Sequence, residues 1–405
     1  QPQKGQQETN VIILLHSKQF SANTWLKLET MHELAKEGYR TIAIDLPGYG
    51  GSDKAEELTE VKEKIRFLER MTSIFQLSNI VFVTPGYSGE FVISLKSAAT
   101  VMENIDRNEF SPLLVRIFKE NWWVESEGES YDIDKKDFSW IDHSGTKNTF
   151  DSVFIMVHGT PGEDGILQQY FEKLKLPFTT GSTESVSGTF NKYYTTERLR
   201  KAGYTVADAV KIDKSENLSS VDYEKIGKKV SFPCFVKPNE GGSSLGISRV
   251  ERQEDLLEAI EFAFSTECTS VLVEAFLEGR EFSMGIVPGV NLSPMAMPIT
   301  EIITKNLFFD FEAKYEGASR EITPADLSDS VRIRMESIGI QVYQQLDCKG
   351  MVRIDYILVE GGEAAILEIN SVPGFSKVSL LPQQLAEAGI SIEEMITRVI
   401  KSASV

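Results

Sequence analysis

Residues 350–370 read GMVRIDYILVEGGEAAILEIN. Two runs rich in β-branched and apolar residues flank Gly361-Gly362, a pair that favours a tight two-residue hairpin turn. With that turn, the numbers of cross-strand partners add up to 723, so Asp355 faces Glu368 and Arg353 faces Asn370. Residues two apart on a strand share a face, which puts all four on one side. Two directly opposed carboxylates repel each other. A cation between them removes the conflict, and two carboxylates plus an amide oxygen suit Mg²⁺, which keeps waters and takes phosphate oxygens as further ligands. The alternative is a solvated face on which Arg353 neutralises both acids.

Upstream, Phe235-Val236-Lys237-Pro238 ends a strand and enters Asn239-Glu240-Gly241-Gly242-Ser243-Ser244-Leu245-Gly246. Glycines permit close backbone approach, and hydroxyls and free N–H groups donate to phosphate oxygens. The spacing is neither GxxxxGK[ST] nor GxGxxG, and taken alone such a loop reads as a turn. It is not alone. Lys237 precedes it and Lys192 lies on another predicted helix, giving two point charges for a polyphosphate.

Around these motifs the chain alternates elements. Short β-rich runs at 11–15, 41–45 and 80–84 are separated by helix-like stretches at 25–37 and 56–76, the pattern of a parallel sheet. A helix over 91–104, a Trp-containing strand region and a strand at Phe154–Val157 come next. Beyond them lie helix 189–202, strand Cys234–Val236, helix 253–264 and strand Ser270–Glu274. The last third predicts strand Met297–Ile303, a polar loop 310–326, helix 327–345, the hairpin, and an amphipathic helix near 391–402. Boundaries near 78, 180 and 285 divide the chain into 1–78, 79–180, 181–285 and 286–405.

The 405 residues allow two to four domains, at roughly 100–200 residues each. A net charge of −18 argues against nucleic acid as a partner. Residues 1–78 hold ten basic and eleven acidic side chains, so almost all of that charge belongs to residues 79–405. No run is long enough for a membrane span, and Gln1–Asn10 lacks the apolar core of a signal peptide. Cys234, Cys268 and Cys348 have no CxxC spacing and read as core residues in a reducing, cytoplasmic compartment. Four scattered His argue against a zinc site.

Taken with His158-Gly159-Thr160-Pro161-Gly162-Glu163-Asp164-Gly165 and Glu368-Ile369-Asn370-Ser371-Val372-Pro373-Gly374, these motifs resemble the D-alanine–D-alanine ligases, ATP-grasp enzymes. The resemblance runs from about Asn79 to the C-terminus. It implies a mixed α/β and α+β architecture, with an ATP-grasp fold behind an N-terminal Rossmann-like domain. It also implies ATP and Mg²⁺ as cofactors (two ions, with Mn²⁺ as a substitute), D-alanine as substrate, peptidoglycan precursor synthesis, and a homodimer. Lys192 and Lys237 resemble the phosphate-holding lysines, with the loop through Gly242 and Ser244 as lid. Glu274, Ala275, Phe276 and Leu277 resemble the adenine-contacting hinge, and Glu281 the ribose-binding acid. Asp355, Glu368 and Asn370 resemble the metal ligands. Glu90, linked to Ser243 and Tyr315, resembles the acid that holds the first D-alanine's ammonium, with His158 in the same region. Lys314-Tyr315 resembles the closing ω-loop. Arg353 and the Gly374 N–H resemble the oxyanion stabilisers, and Ser379 and Leu380 the grip on the second substrate's carboxylate. Tyr at 315 resembles the dipeptide-forming ligases, while D-lactate or D-serine remains an alternative second substrate. Pro85 departs from the family's usual Gly-Gly before the Tyr-Ser-Gly-Glu segment, and proline's fixed φ bears on how Glu90 is placed. Glu163 and Asp164 read equally as helix caps, and Cys348, Trp122 and Trp123 as packing.

Residues 10–89 have a second likeness. Strand Val11–Leu15 running into His16-Ser17, and Asp45-Leu46-Pro47-Gly48-Tyr49-Gly50-Gly51-Ser52, resemble the βαβαβ opening of an α/β-hydrolase. Ser88 then falls at the nucleophile elbow, but without the final Gly of G-x-S-x-G. Only His143 and His158 come after it, both inside the ligase-like stretch, which argues against a serine hydrolase. An inactive fusion is the other alternative.

Overall fold

A computed structural model describes residues 11–15, 31–32, 34, 40–44, 80–83, 90–119, 121–126, 128–242, 246–266, 268–304 and 319–403. The chain divides into two compact units, 1–92 and 93–405. In the first, the apolar runs Val11–Leu15, Arg40–Ile44 and Ile80–Val83 form a parallel sheet with Val11–Leu15 at its centre. These are the three runs that the sequence marks. The stretches 25–37 and 56–76 lie largely or wholly outside the described residues, as do His16, Ser17, Asp45–Ser52, Pro85 and Ser88.

The second unit is built of layers around separate cores. Its first part holds a three-stranded antiparallel sheet (Leu114–Ile117, Trp122–Ser126, Glu129–Asp132) and helix Ile166–Leu174. Val124, Phe138, Trp140, Leu167 and Phe171 fill the space between. Trp122 sets its edge against Phe138 and Tyr170, and Trp123 stacks on Phe118, so both tryptophans pack. Phe154–Val157 forms no strand. Val153 makes one bridge, to Phe178, and the Ile155 N–H is satisfied by the Thr179 hydroxyl instead of a ladder.

The middle is a four-stranded antiparallel sheet in the order Ser248–Val250, Cys234–Pro238, Ser270–Ala275, Ala209–Asp213. Helices Tyr223–Val230 and Leu256–Phe264 bury their apolar faces on Val236, Val271 and Val273. The predicted single helix over 189–202 is two, Thr183–Phe190 and Lys192–Lys201. Asn191 between them is extended (φ −84°, ψ 98°), and its side chain accepts from the Tyr194 N–H as a cap.

The last layer is a six-stranded sheet whose central strands are Gly279–Pro288 and Val352–Val359. Helix Asp329–Gln345 packs on it through Met335, Val342 and Tyr343. The strand region around the predicted Met297–Ile303 is broken: Thr300–Thr304 covers only the second half of that range, and a separate short strand, Pro294–Ala296, lies ahead of it. Pro298 interrupts the region, because proline has no N–H to give the ladder.

The hairpin departs from its predicted register near the turn. There Leu358 pairs with Ala364 and Tyr356 with Ile366, one short of the prediction. The turn has three residues, Glu360 to Gly362, with Gly361 and Gly362 at φ 94° and 81°. A bulge then absorbs one residue, and beyond it Asp355 faces Glu368 and Arg353 faces Asn370 as predicted.

Candidate active site

The opposed pair Asp355 and Glu368 lies where the six-stranded sheet meets the lysines of the preceding layer. Asp355 is 7% exposed and heavily bonded. Arg353 grips both its oxygens, Nε to Oδ1 at 3.0 Å and Nη2 to Oδ2 at 2.9 Å. The Ser283 hydroxyl donates to Oδ1 at 2.7 Å and the Asn370 amide to Oδ2 at 3.2 Å. Ser283 reaches it because the two residues face each other in adjacent strands. Glu368 takes a different cation: Lys192 Nζ lies 3.2 Å from its Oε1.

Lys192 also donates to the Gly241 carbonyl at 2.6 Å, tying the helix start to the Gly-rich loop. Asn239, almost wholly buried, holds that loop from beneath. Its Oδ1 accepts from the Tyr193 N–H at 2.8 Å, and its amide donates to Ser270 Oγ at 3.1 Å. Lys237 forms a buried ion pair with Glu274 at 2.6 Å, the two side chains 9% and 5% exposed. Ala275 ends one sheet and Gly279 opens the next, so Phe276 and Leu277 sit on the connection between them. Phe276 lies edge-on to Phe235, with the Arg249 guanidinium over its ring at 5.0 Å.

Three cations thus meet three carboxylates: Lys192 with Glu368, Lys237 with Glu274, Arg353 with Asp355. The donor set of Asp355, Glu368 and Asn370 is all hard oxygen and fits a Mg²⁺ ion that keeps waters. Among the described residues no group of three or more His, Cys, Asp or Glu gathers as a metal cluster. The fit therefore rests on two carboxylates and one amide.

Residues 79–182 match the family model described as D-ala D-ala ligase N-terminus, and 199–401 the one described as D-ala D-ala ligase C-terminus. A D-alanine–D-alanine ligase of Azobacteroides pseudotrichonymphae is 40% identical over 328 residues, 80% of this chain and 100% of the relative. One of Flavobacterium johnsoniae is 40% identical over 326 residues, 80% and 99% respectively. The chain belongs to the D-alanine–D-alanine ligase family. Among solved structures, the VanG D-Ala:D-Ser ligase from Enterococcus faecalis is similar at a TM-score of 0.69 and 26% identity, covering 78% of this chain and 97% of that one. A D-alanine–D-alanine ligase from Bacillus anthracis gives 0.62 and 26%, covering 79% and 95%. The expected ATP-grasp fold is thereby the fold of the ligase part. Residues 1–78 lie outside both matched ranges.

In this ligase frame His158 is a neutral, fully engaged histidine. It is 4% exposed, and its Nδ1 lies 2.8 Å from the Val372 carbonyl, which can only accept. Nδ1 therefore carries the proton and Nε2 accepts from Ser97 Oγ at 2.9 Å. Ser97 Oγ in turn accepts from the Phe375 N–H at 3.0 Å. This chain of bonds fastens helix Phe91–Asn104 to the segment bearing Gly374. Burial pushes the imidazole down to about 4; the Val372 bond opposes this, and the Arg353 charge lowers it further. The folded value lies below the ordinary 6.5, so the unfolded chain binds the extra proton. Stability from His158 is complete above pH 6.5 and drains away as pH falls toward 4, by about 3 kcal/mol. Urea unfolding at pH 7 and pH 4.5 checks this: wild type is expected to lose more stability than His158→Gln. Equal losses would contradict the assignment.

Glu90 stands at the start of helix Phe91–Asn104, within the N-terminal unit. Ser243, Ser244, Lys314 and Tyr315 lie outside the described residues; Gly242 and Glu281 lie within them, half-buried. Gly374 stands close enough to Ser379 that a Cβ there would meet its Oγ at 3.1 Å. Leu380 is buried at the first turn of helix Leu380–Glu387. Asp164 accepts from the Ile166 N–H at the start of its helix, whereas Glu163 staples back to the Gly159 N–H at 2.6 Å. Cys348 is buried beside Ser185, and burial pushes its thiol up to about 12, consistent with packing. Sequence reasoning missed Ser97, Asn239 and Ser283. Ser283 becomes visible only through its place opposite Asp355 in the neighbouring strand Gly279–Pro288, which the sequence reading did not predict.

Proposed function

We propose that the chain joins two D-alanines into D-alanyl-D-alanine at the expense of ATP, for peptidoglycan precursors, and that it works in the cytoplasm as a homodimer. The reading rests foremost on the opposed Asp355 and Glu368, each matched by a separate cation. A carboxylate attacking the γ-phosphate brings like charges together, and preorganised cations offset them. Mg²⁺ held by Asp355, Glu368 and Asn370, as two ions in the full complex and with Mn²⁺ able to substitute, would neutralise the phosphate oxygens. Lys192 is then released from Glu368 to the phosphates, and Lys237, steadied by Glu274, holds a second position. The hinge Glu274–Leu277 takes the adenine and Glu281 the ribose.

The first D-alanine's ammonium is held by Glu90 with Ser243 and Tyr315, and its carboxylate becomes an acyl phosphate. That species must be shielded from water, which assigns the lid through Gly242 and Ser244 and the loop bearing Lys314. The second D-alanine's carboxylate rests on Ser379 and Leu380, and its amine attacks the acyl carbon. Arg353 and the Gly374 N–H stabilise the resulting oxyanion.

Tyr315 favours an amine over a hydroxy acid as the second substrate. A competition assay tests this: with ATP, Mg²⁺, D-alanine and an equal concentration of D-lactate, D-alanyl-D-alanine is expected to exceed the mixed depsipeptide. A dominant mixed product would move the chain to that other specificity. Among the described residues no helix is long and apolar enough to cross a membrane.

A further inference from the structure

We propose that Ser376 is a positioning residue that fixes the hydroxyl of Ser379 as a donor toward the second substrate's carboxylate. This rests on the assignment of Ser379 to that carboxylate. Ser379 stands at the N-cap of helix Leu380–Glu387, yet its side chain caps nothing in that helix. It turns back instead onto Ser376. The Ser376 N–H donates to Ser379 Oγ at 3.1 Å, and the two hydroxyl oxygens lie 2.8 Å apart. The Ser379 N–H closes the ring by donating to the Ser376 carbonyl at 2.8 Å.

A serine hydroxyl has one proton and two lone pairs. One lone pair of Ser379 is taken by the Ser376 N–H, so the direction of the hydroxyl–hydroxyl bond decides what remains. If Ser379 donates to Ser376, it has no proton left for a ligand. If Ser376 donates to Ser379, both lone pairs are filled and the only free valence is the Ser379 proton. A carboxylate accepts and never donates, so only the second arrangement binds it. Ser376 thereby supplies the proton that sets the polarity of its neighbour. Gly374 lies alongside and leaves room for this geometry, since a Cβ there would press on Ser379 Oγ.

The test separates the amine-accepting step from the rest. Ser376→Ala is expected to raise the KM of the second D-alanine up to about tenfold, because the Ser379 hydroxyl keeps its proton but loses the donor that aims it at the carboxylate, with kcat changed less than twofold. Ser376→Thr, which keeps the hydroxyl, restores the wild-type KM. Hydroxylamine can replace the second substrate: its nitrogen attacks the acyl phosphate and phosphate leaves, giving a hydroxamate. It has no carboxylate, so hydroxamate formation by Ser376→Ala is expected to stay within twofold of wild type. Ser379→Ala serves as the reference and should raise the same KM. If Ser379→Ala raises that KM and Ser376→Ala does not, the positioning role is overturned. If neither raises it, the Ser379 assignment itself fails. Equal loss of dipeptide and hydroxamate in Ser376→Ala would mark a general structural role and also overturn the inference.

Discussion

Glu368→Gln is expected to cut dipeptide formation by about a hundred- to a thousandfold while the protein stays folded. The amide keeps the size of the side chain but removes one of the two charges that face each other across the hairpin. Lys192 keeps its bond to the Gly241 carbonyl, so the helix and loop remain joined. The loss should therefore appear in turnover and in the Mg²⁺ concentration needed for half-maximal rate, with little change in the urea midpoint. Wild-type turnover in Glu368→Gln would remove this residue from the metal site.

Lys237→Met should act on stability and activity together. Glu274 is 4% exposed, and the substitution strands its carboxylate in the interior. Breaking a buried pair from one side costs about 3–5 kcal/mol, because the remaining charge is uncompensated. Adding Glu274→Gln removes that charge and should recover most of the stability. It should not recover ligation, because the cation for the phosphates is still missing. Urea unfolding and initial rates on wild type, the single and the double variant read both effects. A Lys237→Met protein as stable and as active as wild type would show that the ion pair serves neither purpose.

The two halves of the site were legible in the sequence to different degrees. The hairpin spoke through alternation: Asp355 and Glu368 are opposite because side chains alternate and strands pair in register. Even so, the two-residue turn was a misreading. A three-residue turn and a compensating bulge cancel at the site, so the functional register came out right although the local geometry did not. Lys192 and Lys237 were visible as types but not as members of pairs. Nothing in residues 192, 237, 274 and 368 announces which cation meets which acid, since Lys192 and Glu368 come from separate layers and Lys237 and Glu274 from strands far apart in sequence. Ser97 and Asn239 were silent for the same reason: their partners are 61 and 31 residues away.

The fold shows the same division. Periodic apolar patterns located the long helices Asp329–Gln345 and Ile392–Ala403, as well as the parallel strands near the front. Breaks were harder. Asn191 stops one helix to start another, and Pro298 breaks a strand region, each by the hydrogen bond it makes or cannot make. Phe154–Val157 has strand composition, but composition does not supply a neighbouring strand.

The most direct test is the balance of products. Purified chain supplied with ATP, Mg²⁺ and D-alanine should release one phosphate for each D-alanyl-D-alanine formed, and both should vanish when Mg²⁺ is chelated and return when it is restored. Phosphate release without dipeptide, or no turnover from folded protein, would contradict the account.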